Sequence, residues 1–194
     1  MNKRTMSLIQ EMLGAVILGV GLDYVGSMPG DASYLNALSI MPLVWLALRY
    51  GGATAVIAGV VVGFVQGILA GHLSDVTLLA LVDVLPYTFV GLAGFFAKYT
   101  QKTLNNHRYS STYLNIATGA LVATVGVVGI RSLMEWLVAH DVNLNVNQTI
   151  VVVLLTWLVT AGVFCLVAPR YPQFIIPKRS KYLSRKETSK LLND

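Results

Sequence analysis

The sequence predicts an all-α membrane protein of six transmembrane helices with both termini cytoplasmic. Three observations carry that prediction: apolar runs of spanning length, scarce charge, and cations confined to one side. Of 194 residues, 55% are hydrophobic and only 12% charged, and the mean hydropathy is +0.66. Once six spans are assigned, no length remains for a soluble catalytic domain. Each run approaches the ~20 residues a helix needs to cross about 30 Å of hydrocarbon. When the runs are threaded in alternation, thirteen of the fourteen Lys and Arg residues fall on one face, which the positive-inside rule makes cytoplasmic. Asp23, Asp31, Asp75 and Asp141 occupy the opposite connections, and only Arg131 departs from the pattern.

The first run, Met6–Val25, follows Lys3 and Arg4 as a signal peptide would. It is too long for one and lacks an Ala-x-Ala cleavage site, so it reads as a retained span. Within it Ala15 and Gly19 form a small-xxx-small face suited to close helix approach. The second run, Leu35–Arg49, is short and contains Pro42, so it should kink or begin late. The third, Gly51–Gly71, places Ala55, Gly59, Gly63, Gly67 and Gly71 at every fourth position, a stripe for packing within the bundle or against another subunit. The fourth, Val76–Phe96, is interrupted by Pro86 three residues after Asp83. Broken helices at membrane depth imply a cavity, because freed backbone groups are tolerated only where protein or water covers them. The fifth is Tyr113–Val138 and the sixth Thr149–Pro169. Residues 1–170 thus form the transmembrane domain, and 171–194 a basic cytoplasmic tail.

Composition excludes several functions. The basic residues lie in turns and a tail without an aromatic-interleaved patch, which fits anionic lipid or a cytoplasmic partner and not nucleic acid. The single cysteine, Cys165, permits no intrachain disulfide or CxxC site. There is no HExxH, GxSxG or clustered acidic metal motif, so neither an enzyme, a cofactor nor a metal is expected. A GxxxxGK[ST] loop is also missing from the sequence, so uphill uptake would need an ion gradient or another subunit.

Polar residues inside spans are costly and therefore candidates for function. Tyr34, Asn36, His72, Asp83, Tyr87, Arg131, Glu135, Trp136, Asn147 and Gln148 all fall toward the outer end of the threaded bundle. Arg131 and Glu135, four residues apart, share a helix face and either neutralise each other or bind ligand. Asp83 has no partner in its own span and is open to pairing with Arg131 or to ligand. His72 stands at a helix end, in a capping or a binding role. Together these groups suit a small polar solute with a ring. A stand-alone proton-coupled carrier using Asp83 is the rival reading.

One set of motifs resembles a known family. Met41-Pro-Leu-Val-Trp-Leu-Ala-Leu-Arg-Tyr-Gly-Gly52, Thr54-Ala55, the glycine-striped span ending at Gly71-His72, Asp83 and Gly91-Leu-Ala-Gly94 resemble thiamine-type S components of energy-coupling-factor transporters. The likeness is strongest over residues 6–100. It implies a six-helix vitamin-binding subunit of the bacterial cytoplasmic membrane, with its site near the outer face, capped by the connection between spans one and two. It further implies docking, through Ala15 and Gly19, on a transmembrane coupling protein that works with two cytoplasmic ATPases. Where relatives carry a Trp and a Glu before the span-two proline, this chain has Ser33, Tyr34, Asn36 and Ala37. Their span-four Glu is Asp83 here, and Glu135 stands near the place of a span-five histidine. These departures favour hydroxymethylpyrimidine slightly over thiamine as the expected ligand.

Overall fold

Each expected span is helical over its described residues in the computed structural model, which describes residues 3–26, 37–139, 146–178 and 180–183. The elements are α1 (Lys3–Gly26), α2 (Ile40–Tyr50), α3 (Gly52–Leu69), α4 (Val76–Asn105), α5 (Tyr109–Ala139), α6 (Val146–Arg170) and the short α7 (Pro172–Ile175). No strand occurs among the described residues. Five of the helices are long and apolar enough to cross a membrane.

The exception is α2. Even with the turn that precedes it, the apolar helical run is Ala37–Tyr50, which at ~1.5 Å per residue reaches only about 20 Å. It is nevertheless the centre of the fold. Ile40, Leu43, Val44, Leu46, Ala47 and Leu48 are almost completely buried, and α1, α3, α4 and α5 all pack on it. Pro42 lies in its first turn, where a missing backbone N–H costs no helical bond. The proline therefore delays the helix without kinking it. At the other end Gly51 adopts φ +96°, a conformation that suits glycine, and the chain reverses into α3. Gln101 of α4 is fully buried and donates to the carbonyls of Leu48 and Arg49, at 2.8 Å each. Those carbonyls have no partner within α2 because the helix ends there.

The glycine stripe of α3 packs inside the molecule against α4. A Cβ at Gly59 would meet the Tyr87 carbonyl oxygen at 2.5 Å, and one at Gly63 the Asp83 carbonyl oxygen at 2.5 Å. The contact continues to the far end, where a Cβ at Gly94 would lie 2.1 Å from the Gly52 nitrogen. Gly71 is not part of this contact. It takes φ +83° and ends α3.

Pro86 breaks the α geometry of α4, as its sequence position predicted. Residues Leu79–Val84 form a π-helical turn and Phe89–Phe96 a 3₁₀ stretch. The wider turn accommodates a proline ring that would otherwise press on the carbonyl four residues earlier. The helix then continues beyond the expected limit of Phe96 to Asn105. Lys98 and Lys102 thus extend a helix and do not sit in a loop.

Two further differences concern the ends. Ala15 is 1% exposed, and a Cβ at Gly19 would meet the Ser39 carbonyl oxygen at 3.3 Å and Val62 Cγ2 at 3.4 Å. The small face of α1 is therefore turned inward, and these two residues offer no open docking surface. The outward face instead carries Leu13, Ile17 and Leu18, all exposed. The first part of the expected basic tail is docked on the bundle: Ile175, Ile176 and Leu183 are buried, and Ser180 Oγ donates to Gln101 Oε1 at 2.5 Å.

Arg49 joins three of these segments. Its Nε and Nη2 donate to Glu11 of α1 at 2.5 and 3.0 Å. Its Nη1 donates to the carbonyls of Gln173 and Phe174, the latter at 2.9 Å. Trp45 Nε1 donates to the same Phe174 carbonyl at 2.7 Å.

Candidate solute-binding site

The turn after α3 builds the centre of the site. With Gly71 left-handed, His72–Ser74 forms one 3₁₀ turn. Asp75 then caps α4 by accepting from the backbone nitrogens of Thr77 and Leu78 at 2.9 and 3.2 Å, a standard satisfaction of free helix donors. This path folds His72 back over α4, and its Nδ1 lies 2.7 Å from Asp83 Oδ2. Asp83 is 2% exposed and His72 33%. The Asp83 carboxylate thus pairs with His72, and the expected alternative of an Asp83–Arg131 bridge is not formed. Asp83 lies in the π turn and against Gly67, where a Cβ would come within 2.6 Å of Oδ2. A buried carboxylate needs compensation. Here the glycine makes the room and the imidazole supplies the partner.

Arg131 and Glu135 on α5 pair with each other, Nε to Oε1 at 3.0 Å, both about one-third exposed. Arg131 also stands close enough to Tyr87 and Asp23 to interact with them electrostatically. Tyr87 is 2% exposed and shares a 2.8 Å hydrogen bond with Ser39 Oγ. Beside Tyr87 is Gln66 of α3, 5% exposed, with neither amide atom completing a hydrogen bond of good geometry. Polar groups from α1 to α5 therefore gather at one end of the bundle, the end opposite Arg49.

Of the residues singled out from sequence, His72 and Asp83 pair, Arg131 and Glu135 pair, and Tyr87 lies near Arg131. Trp136 is 49% exposed, on the outside of α5. Asn147 and Gln148 are exposed in the first turn of α6. Tyr34 and Asn36 lie outside the described residues. Sequence reasoning missed Asp23, Ser39 and Gln66. Asp23 had been assigned to a connection, while Gln66 carried the same signal as Asp83, a polar residue inside an apolar span. Among the described residues, no group of three or more His, Cys, Asp or Glu is placed to hold a metal ion.

A bundle with five helices long and apolar enough to cross a membrane is that of a multi-pass membrane protein. The chain belongs to the thiamine transporter protein family (Thia_YuaJ), whose model matches residues 5–135. This agrees with the resemblance to thiamine-type S components, and the family is one of transporters, not enzymes. A solved structure described as ThiT from Listeria monocytogenes aligns with a TM-score of 0.75 over 91% of this chain and 100% of that one. At 16% identity the likeness establishes the fold. No curated protein matches the chain.

Proposed function

We propose that this chain is the substrate-binding S subunit of an energy-coupling-factor importer in the bacterial cytoplasmic membrane. It captures a vitamin bearing an aminopyrimidine at the outer face, for uptake driven by a transmembrane coupling protein and two cytoplasmic ATPases. The observation that carries this reading is the cluster of Asp23, Gln66, Asp83, Tyr87 and Arg131 at one end of the bundle in a chain of the thiamine transporter family. Acids outnumber the guanidinium: Asp23, Asp83 and Glu135 face one arginine and one histidine. Adding Asp23 to the cluster supports the cationic thiazolium of thiamine and reverses the slight preference for hydroxymethylpyrimidine that the sequence alone supported. The outward face of α1, with Leu13, Ile17 and Leu18, replaces Ala15 and Gly19 as the proposed docking surface.

Isothermal titration of the detergent-purified protein with thiamine and with hydroxymethylpyrimidine tests the ligand. Tighter binding of thiamine supports the charge argument, tighter binding of the pyrimidine supports the sequence-based expectation, and binding of neither overturns the vitamin reading. A second reading, a stand-alone proton-coupled carrier, is favoured by one observation, the hydrogen-bonded pair of the buried Asp83 and the partly exposed His72 inside the bundle end, an arrangement suited to proton relay. Uptake that stops with an uncoupler but survives ATP depletion would establish the carrier; the opposite pattern supports the S subunit.

A further inference from the structure

We infer that Gln66 is a specificity-determining residue whose side-chain amide pairs with the aminopyrimidine edge of the ligand. This rests on the vitamin-binding reading above and adds a residue to it. A glutamine inside an apolar span is costly unless its amide is satisfied. Gln66 is 95% withdrawn from solvent by its 5% exposure, and both amide atoms lack a hydrogen bond of good geometry. Of the neighbouring groups, Asp83 is engaged with His72 at 2.7 Å, and Tyr87, bonded to Ser39 at 2.8 Å, also interacts with the Gln66 amide. That contact falls short of hydrogen-bond geometry, and a single hydroxyl serves one amide atom at most, so the carboxamide keeps hydrogen-bonding capacity for a ligand.

An aminopyrimidine edge offers the complementary arrangement, an exocyclic amine donor next to a ring nitrogen acceptor. A glutamine reads the same donor and acceptor pattern on adenine through two parallel hydrogen bonds, a pairing that discriminates by roughly 1–3 kcal/mol. The position of Gln66 suits the role. It is in the last turn of α3, one residue before Gly67, which packs on the Asp83 carboxylate. A ligand ring bonded to Gln66 would lie beside Tyr87 and Asp83.

The test compares wild type with Gln66→Leu, which keeps the approximate volume and removes both polar atoms, and with the unbranched Gln66→Met. Each protein is titrated with thiamine and with oxythiamine, in which a carbonyl replaces the amine, and its ligand-free melting temperature is measured. The expected result is a loss of thiamine affinity of about 10- to 100-fold, a collapse of the preference for thiamine over oxythiamine, and an unchanged or raised ligand-free melting temperature. Unchanged affinity and preference in a well-folded variant would overturn the inference while leaving the vitamin reading intact. Failure of wild type to bind thiamine or hydroxymethylpyrimidine would overturn both.

Discussion

At Asp83 two requirements meet: a carboxylate buried at 2% exposure, and a neighbour able to hold it, His72 at 2.7 Å. Removing the imidazole leaves a buried acceptor unsatisfied, at a cost of about 1–3 kcal/mol. His72→Ala should accordingly lower the melting temperature of the ligand-free protein, and an unchanged value would show that the pair contributes nothing to stability. Asp83→Asn keeps a hydrogen-bonding group of the same shape but removes the charge. It should preserve the fold and weaken thiamine binding by roughly tenfold or more, the scale of a lost charge-assisted bond; calorimetric titration gives the answer, and undiminished affinity would remove Asp83 from the site. Asp83 was legible as a candidate because a polar group inside an apolar span is conspicuous, and His72 because it stands at the end of one. Their pairing was not legible, because it depends on the left-handed turn at Gly71, which brings together two side chains eleven positions apart. Asp23 was hidden for a different reason: near a span end, a residue facing inward and one facing solvent look alike in sequence.

At the scale of elements, small residues report close approach but not its direction. The α3 stripe, open in sequence to packing within the bundle or against another subunit, packs within the bundle except at Gly71, whereas the Ala15 and Gly19 face of α1, expected to meet a partner, is turned inward against Ser39 and Val62. Substitution separates these cases. Gly63→Ala would force a Cβ to within 2.5 Å of the Asp83 carbonyl oxygen and should destabilise by about 1–3 kcal/mol, as overpacking does. Gly129→Ala in α5, where a Cβ would meet nothing within 4 Å, should instead be neutral or stabilise by up to ~1 kcal/mol through helix propensity. Thermal unfolding of the two variants in the same detergent checks the contrast, and equal behaviour would refute the seam. Gly19→Leu should impair folding and ligand binding together. A folded, ligand-binding variant that fails only in uptake would restore Gly19 as a docking residue. The late start of α2 and the break in α4 were legible from Pro42 and Pro86, but not the form of the break, since proline alone does not choose between a kink and a π turn.

For the whole molecule, the distribution of cations sets an orientation that labelling can test. In a Cys165→Ala background, Ser74→Cys and Arg108→Cys place single thiols on exposed positions at opposite ends of the bundle. A membrane-impermeant maleimide added to intact cells should modify the cysteine at 74 and spare the one at 108. The reverse result would invert the topology and move the polar cluster to the cytoplasmic side. The arrangement of helices was readable from hydropathy and charge, but the packing of residues 172–178 and 180–183 was not, because a Pro-rich basic segment looks solvated until Ile175 and Ile176 find a surface to cover. That packing has a mechanical consequence. Arg49 fastens the first helix, the second and the chain following the sixth at a single guanidinium, whereas the ion pairs at the opposite end are local, His72 with Asp83 across the α3–α4 turn and Arg131 with Glu135 within α5. The bundle is built like a pair of tongs, riveted at the Arg49 end, and any spreading wide enough to admit a solute costs least at the tips.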